Sequence, residues 1–274
     1  MRKLSLREVQ KIEYDILEAF DQFCKLNHFT YMLSGGTLLG AIRHQGFIPW
    51  DDDVDVLMPR GDYDRFLGMK TEYICGKKDY EIKHWKNGKS CYPFIKIVDP
   101  DSYVETEYIR SKSEVQQIWI DIFPLDGNPE DMESAKHLYK KVKKYKKLLI
   151  LKLAKIGVGS TWYIKLIKPL ISGILQVIPT NYLCLRMDQL SKLYSYEEST
   201  KVGCILWGYG VKECMDKSVF QEQKKILFEE KYFPAHVGYH QYLTGLYGDY
   251  MTLPPEKDRL IHIFNAYTEE NERG

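Results

Sequence analysis

Cysteine is scarce: six residues in 274, at positions 24, 75, 91, 184, 204 and 214, with no Cys-x-x-Cys pair and no metal-finger spacing. That excludes a disulfide scaffold and points to reduced thiols in a cytoplasmic protein. Long apolar runs are also missing. The longest uncharged stretch, Pro169 to Leu185, is interrupted by Pro169, Gly173 and Pro179, and it falls short of the ~20 apolar residues that span a bilayer. Glu8, Glu13 and Asp15 stand where a secretion signal needs its apolar segment, so none is expected. Internal repeats, low-complexity linkers and recognised nucleic-acid-binding motifs are absent from the sequence as well.

One further absence is local. Between Ser134 and Met187 there is no Asp or Glu, while eleven lysines and one arginine occur there. The rest of the chain then holds 27 Lys and Arg against 38 acids, so a formal net charge of +1 conceals an acidic body and a basic limb. An acidic body suits metal ions and disfavours wrapping a nucleic-acid backbone, and a basic limb suits an anionic partner. With 44% hydrophobic and 28% charged residues, the chain is globular, sized for one large domain or two small ones.

Hydropathy patterning predicts an α+β protein. Residues 5–28 read as an amphipathic helix opened by a Ser5/Glu8 capping box. A short strand from Tyr31 runs into Gly35-Gly36, and a helix follows over Thr37–Ile42 with Thr37 as its cap. Asp53–Met58 alternates like a strand and stops at Pro59, ahead of a helix over Asp62–Met69. Tyr80–Trp85 and Tyr92–Val98 flank Asn87-Gly88 as a hairpin. Val115–Phe123 reads as a strand stopped by Pro124, with Gly127-Asn128-Pro129 as a loop and Asp126 capping the turn. Helices are expected from Asp131, over Thr161–Ile178 and over Tyr182–Tyr194. In the first of these Lys136, Lys140, Lys143 and Lys147 oppose Leu138, Val142, Tyr145 and Leu149. After Val202 come short strands, a helix over Tyr239–Tyr247 and a turn at Leu253-Pro-Pro. The expected division is a core over 1–130, a basic helical arm over 131–198 and a segment over 199–274 that completes the core.

Three features carry chemistry. Asp51-Asp52-Asp53-Val54-Asp55 packs four carboxylates into five residues, and strand alternation puts Asp53 and Asp55 on one face, where they can share a divalent ion. The bland alternative is a solvated acidic turn. Ser34-Gly35-Gly36-Thr37 joins a strand to a helix, and glycines there let a phosphate approach the helix N-terminus; a tight turn is the alternative. Asp121 interrupts an apolar strand, either as a hydrogen-bonded structural aspartate or as a third metal ligand or general base.

Strand–Gly-Gly–helix, then Asp-x-Asp, then a lone Asp on a later strand resembles the nucleotidyltransferase fold, a mixed β-sheet core with flanking helices. More narrowly, Leu33-Ser-Gly-Gly-Thr-Leu-Leu-Gly-Ala-Ile-Arg-His-Gln-Gly-Phe-Ile-Pro-Trp-Asp-Asp-Asp-Val-Asp resembles the LicD family of phosphocholine transferases, with fukutin-type proteins as distant relatives. The resemblance continues at Phe94-Ile-Lys-Ile, at Trp119-Ile-Asp-Ile-Phe-Pro-Leu-Asp and at Tyr242-Leu-x-x-Leu-Tyr-Gly-Asp-Tyr-Met-x-Leu-Pro-Pro, covering about residues 31–260.

It implies transfer of phosphocholine from CDP-choline to a sugar hydroxyl of a teichoic-acid or lipopolysaccharide precursor, with release of CMP. In that scheme Ser34, Gly35, Gly36 and Thr37 cradle the donor phosphates, with Arg43 and Lys96 as nearby cations. Asp53 and Asp55 hold Mg²⁺ or Mn²⁺, and Asp121 completes the site or deprotonates the acceptor. His44 is expected to be structural. Trp50, Tyr92, Trp119, Trp207, Tyr209 and Tyr232 are candidate rings for a choline cage. The lysine-rich stretch 134–187 reads either as a peripheral contact with anionic membrane at the inner face or as a solvated helical subdomain.

Rival readings keep the site and change the reaction: ribitol- or glycerol-phosphate transfer, or nucleotidyl transfer from a triphosphate with release of pyrophosphate. A glycosyltransferase would need only the Asp-x-Asp. A non-catalytic cation-binding scaffold is the remaining alternative, although the EF-hand spacing is absent.

Overall fold

The computed structural model describes residues 1–106, 117–154, 175, 177–259 and 264–268. In chain order the first half comprises β1 (Arg2–Lys3), α1 (Leu6–Asn27), β2 (Met32–Leu33), α2 (Gly35–His44), β3 (Asp55–Pro59), α3 (Arg60–Leu67), β4 (Tyr73–Cys75), β5 (Asp79–Lys83), β6 (Ile95–Val98), β7 (Ser102–Thr106) and β8 (Trp119–Asn128). The second half adds α4 (Met132–Leu153), α5 (Thr180–Ser191), β9 (Lys201–Gly203), β10 (Met215–Asp216) and the single turn α6 (Ser218–Gln221). It ends with β11 (Gln223–Phe228), β12 (Lys231–His236), α7 (Tyr239–Tyr247) and β13 (Phe264–Thr268). The class is α+β, as expected.

The main sheet runs β10-β9-β8-β6-β5-β4, with β3 also on β8 and β2 on β3. Its β3–β8 pairing is parallel and the others are antiparallel, so the sheet is mixed. Apolar residues bury it: Leu33, Val54, Val56, Ile95, Ile97, Ile120 and Ile122 join Ile16, Leu17 and Phe20 of α1 in one core cluster. The capping box of α1 is formed, with Ser5 N–H donating to Glu8 Oε2 at 2.8 Å. β5 and β6 form the expected hairpin. β1, β13 and β7 make a small second sheet, and β11 and β12 pair as a hairpin.

Two expectations about β8 fail. Pro124 does not end the strand, which continues to Asn128. Asp121 N–H bonds Val54 O on the β3 side, so by alternation the amide position of Pro124 faces the other way. The β6 ladder ends at Ile122 and the β9 ladder starts at Asp126, so no ladder bond needs the N–H that proline lacks. Gly127 and Asn128, expected as loop, pair with Val202 and Lys201.

Asp126 does not cap a turn either. It is fully buried and accepts from Arg60 Nε at 2.6 Å, while Arg60 Nη1 reaches Asp188 at 2.9 Å and Asp64 at 3.3 Å. One guanidinium thus ties β8 to α3 and α5.

The lysine face of α4 is exposed, and its apolar face (Leu138, Val142, Leu149, Leu153) belongs to the main core cluster. Tyr145, expected on that face, packs against the cluster half-buried. The expected helix over Thr161–Ile178 lies, apart from residues 175, 177 and 178, outside the described residues. Among the described residues no helix is long and apolar enough to cross a membrane.

Breaking a buried ion pair strands the remaining charge. Asp126→Ala is therefore expected to cost about 3 kcal/mol, read as a lower urea midpoint with the slope retained. An unchanged midpoint would mean that Asp188 and Asp64 alone satisfy Arg60.

Candidate active site

The corner between β2 and α2 is made so that backbone, rather than side chain, meets whatever approaches. Ser34 O accepts from Leu38 N–H at 3.0 Å, which starts the helix. The Ser34 hydroxyl makes no cap bond and lies instead 3.0 Å from Tyr242 Oη of α7. Thr37 is therefore not the cap. It sits within α2, and its Oγ1 accepts the Asp55 N–H at 2.8 Å, fastening the acidic loop to the helix. The helix opens earlier than expected, at Gly35, which adopts φ +51°, a conformation costly for any residue with a Cβ. A Cβ on Gly36 would lie 2.8 Å from Asp51 Oδ2.

Strand β3 begins only at Asp55, yet burial alternates from residue 51 onward. Asp51, Asp53 and Asp55 are half-buried, and Asp52, Val54 and Val56 are buried. Asp51 therefore shares the face of Asp53 and Asp55, a parity that the sequence displays but that the expectation of an Asp53/Asp55 pair left unused. Asp55 Oδ2 comes within 3.2 Å of where a Gly35 Cβ would be, and Asp53 Oδ1 within 4.0 Å of one on Gly36. The loop is propped by α1, where Gln10 Nε2 donates to the Asp51 carbonyl at 2.8 Å. One turn further on, Glu13 is buried with Oε2 unpartnered. Burial, and then the charges of Asp53, Asp52 and Asp51, push its carboxyl well above the ordinary range, so it packs as the neutral acid.

Register supplies the rest of the site. Asp55 is paired across β3–β8 with Asp121, and Asp121 across β8–β6 with Lys96, so the three side chains form one row on one face. Lys96 Nζ is 2.6 Å from Asp121 Oδ1. It lies 4.1, 5.0 and 5.2 Å from the ring centres of Trp119, Tyr92 and Phe94, an aromatic box around an ammonium. Lys96 is thus the buried partner of Asp121, and two of the rings considered for a choline cage already surround a cation of the protein. Burial raises the Asp55 carboxyl well above its usual range, reinforced by Asp53, Asp121 and Asp51 and opposed by Lys96. Burial also raises Asp121, against Lys96 and Trp119.

Beside this row opens a cavity of about 510 Å³ lined by Gly36, Asp51, Asp53, Arg43, Trp50 and Tyr209, among others. Arg43 Nη1 donates to Tyr250 O at 2.9 Å. His44 accepts from Arg43 Nε at 3.5 Å and meets the Trp50 ring edge-on, in keeping with a structural role. Tyr247 Oη donates to Tyr209 Oη at 3.0 Å, and the Arg259 guanidinium stacks 4.3 Å over Trp50. Of the remaining ring candidates, Trp207 packs on Tyr92 and Phe94, and Tyr232 is exposed on β12. Tyr247, Asp249, Tyr250 and Arg259 also line the cavity and were not anticipated as site residues, although the first three fall in the Tyr242–Pro255 block already singled out.

Among the described residues no three His, Cys, Asp or Glu side chains form a ready metal cage. The donor set still fits Mg²⁺, which takes one or two carboxylates and draws its other ligands from water and substrate phosphate. Asp53 and Asp55 beside a glycine corner offer that arrangement.

Tyr209 is held by its own backbone N–H, which donates to Glu213 Oε1. Glu213 is buried, and burial pushes its carboxyl up to about 7 against the opposing Tyr209 N–H and Lys146.

Comparison with known proteins identifies the family. Residues 28–163 match the family described as LicD/FKTN/FKRP, nucleotidyltransferase domain. The chain is 34% identical over 274 aligned residues to the lipopolysaccharide cholinephosphotransferase LicD of Haemophilus influenzae, covering 97% of this chain and 99% of that protein. Uncharacterized proteins of Rickettsia typhi and Rickettsia prowazekii are 33% and 42% identical over 112 and 117 residues, covering 39% and 36% of this chain and 33% and 40% of theirs.

Because folding raises the Glu213 pKa from an ordinary 4.5 to about 7, the neutral carboxyl favours the folded state. Its contribution is whole below about pH 4.5 and is lost as pH rises through 7, a change on the order of 3 kcal/mol. Wild type is expected to lose urea stability between pH 5 and pH 8 relative to Glu213→Gln, which keeps the acceptor oxygen without the charge. Parallel pH curves for the two proteins would show that Glu213 ionises in the fold without cost.

Proposed function

The chain belongs to the LicD/FKTN/FKRP family of nucleotidyltransferase-domain proteins, and from that premise we propose that it transfers phosphocholine from CDP-choline to a sugar hydroxyl of a cell-surface glycan precursor, of lipopolysaccharide or teichoic-acid type, releasing CMP. The observation that carries this reading is the Gly35–Gly36 corner, where the missing Cβ atoms let the carboxylates of Asp51 and Asp55 close on the start of α2, bringing a metal-binding acid cluster and an anion-binding helix N-terminus together.

In the reaction the acceptor oxygen bonds to the choline-bearing phosphorus. The bond from that phosphorus to the bridging oxygen breaks, CMP leaves with that oxygen, and the hydroxyl proton passes to a carboxylate. Gly35 and Gly36 admit the donor phosphates to the backbone N–H groups of α2. Arg43 adds a positive charge from the same helix inside the cavity. Asp53 and Asp55 would hold Mg²⁺, or Mn²⁺ in its place, with Asp121 completing the set or accepting the proton. When bound, the ion supplies neutralisation of charge building on the phosphate oxygens. Lys96 fixes Asp121 through Oδ1. The trimethylammonium head suits the tyrosines that line the cavity, Tyr209, Tyr247 and Tyr250, Trp50 being already covered by Arg259. All six cysteines are free, which supports a cytoplasmic location, with a lipid-linked acceptor met at the inner face of the membrane.

CMP release from CDP-choline with Mg²⁺ and a lipid-linked glycan acceptor tests the reading. Release is expected to require the acceptor, to stop with EDTA and resume with Mg²⁺, and to fall about a hundredfold or more in Asp53→Asn and Asp121→Asn. Preference for CDP-ribitol would keep the mechanism and change the head group. Pyrophosphate release from a nucleoside triphosphate would replace it with nucleotidyl transfer.

A further inference from the structure

Tyr209 lines a second cavity as well, of about 610 Å³, and the charge there is reversed. α4 contributes Lys140, Lys143 and Lys146 at successive spacings of three, which places them on one helix face. Lys212 joins them from the segment between β9 and β10, and among the described residues no Asp or Glu lines the cavity. Lys136 also borders it but is paired with Glu133 at 2.6 Å. Among the described residues Lys140, Lys143 and Lys212 have no ion-pair partner. Unneutralised lysines one turn apart weaken a helix, so an anion seated between them would be stabilising on both counts.

The wall of the cavity is aromatic. Lys146 Nζ sits 4.2 Å over the Trp207 ring and donates to the Trp207 carbonyl at 2.6 Å, so this cation and ring are fixed relative to each other. Lys146 already covers the Trp207 ring, and the rest of the wall, Ile205, Leu206 and Tyr209, is apolar and flanked by the ammonium groups of Lys140, Lys143 and Lys212. A phosphorylated sugar matches both, with the C–H face of its ring toward that apolar wall and its phosphate toward the lysines. A flat bilayer suits the groove less. The apolar face of α4 that an interfacial helix would insert is already committed to the core.

We propose that this groove binds a phosphate-bearing sugar, the anionic part of the acceptor, and presents its hydroxyl toward the acidic cavity past Tyr209. Calling that sugar the acceptor rests on the transferase reading above, whereas the binding itself does not.

The test uses the full chain without donor or metal, titrated with glucose 6-phosphate and with glucose, followed by tryptophan fluorescence and calorimetry. Saturable binding of glucose 6-phosphate is expected, about tenfold or more tighter than glucose. It should weaken as NaCl is raised and fall about tenfold or more in Lys140→Gln/Lys143→Gln, two exposed positions whose replacement leaves the circular dichroism spectrum unchanged. Asp53→Asn should retain it. Equal affinity for the two sugars, no binding of either, or binding indifferent to the double substitution overturns the proposal. So do phosphatidylglycerol vesicles that bind wild type through these lysines without competition from the sugar phosphate. Sugar-phosphate binding without CMP release from any donor would refute the phosphocholine reading and leave the groove standing. CMP release without such binding would do the reverse.

Discussion

Negative charge crowded into a desolvated corner is the constraint on which the site depends. Asp51, Asp53, Asp55 and Asp121 converge where Lys96 is the one cation paired within the row, and each carboxylate taken out of water would ordinarily be expensive. The chain answers this in three ways. It keeps Glu13 buried, where burial and the neighbouring acids push its carboxyl well above the ordinary range, which favours the neutral form. It places Lys96 in a box of three rings that hold the ammonium without adding another charge. It keeps Asp51, Asp53 and Asp55 half-exposed, on the face that opens to the cavity. The parallel pairing of β3 with β8 is what makes this arrangement rigid. A slip of β3 by one residue would turn Asp55 away from Asp121 and drive it into the apolar layer of Val56 and Ile122.

Much of this could be read from local pattern. The capping box of α1, the β5–β6 hairpin and the glycine corner each depend on residues within a few positions of one another, and they form as their spacing predicts. The errors share a different origin, because each turns on what a distant part of the chain places, or does not place, beside the residue. Thr37 looks like a cap, but Asp55 takes its hydroxyl and Tyr242 takes that of Ser34. Pro124 looks like a stop, but no strand stands where its N–H would have pointed. Asp126 looks like a turn residue, but Arg60, sixty-six positions earlier, draws it into the interior. The cavity-lining Tyr247, Asp249, Tyr250 and Arg259 lie about two hundred positions from the glycine corner, and only the fold brings them there.

The lysine-rich stretch shows how composition misleads about placement. Twelve cations without an acid suggest a limb apart from the body, yet α4 buries Leu138, Val142, Leu149 and Leu153 in the same core as the sheet. What the composition does convey is polarity between two neighbouring surfaces. Acids border one cavity and lysines border the other, and Tyr209 lines both. Opposite charges on neighbouring surfaces attract if they can move, so they must be kept apart by something stiff.

Glu213 provides that stiffness. Its carboxyl accepts the Tyr209 N–H from within the same loop and lies near enough to Lys146 to be influenced by its charge. The hydroxyl of Tyr209 is meanwhile held by Tyr247 of α7. Tyr209 is thus tied at its backbone to the basic side and at its ring end to the wall of the acidic cavity. In the proposed reaction the lysines of one cavity would meet the anionic acceptor, and the other cavity would take the donor together with the ion that Asp53 and Asp55 would hold. Two anions then need not approach through a single mouth, where they would repel each other.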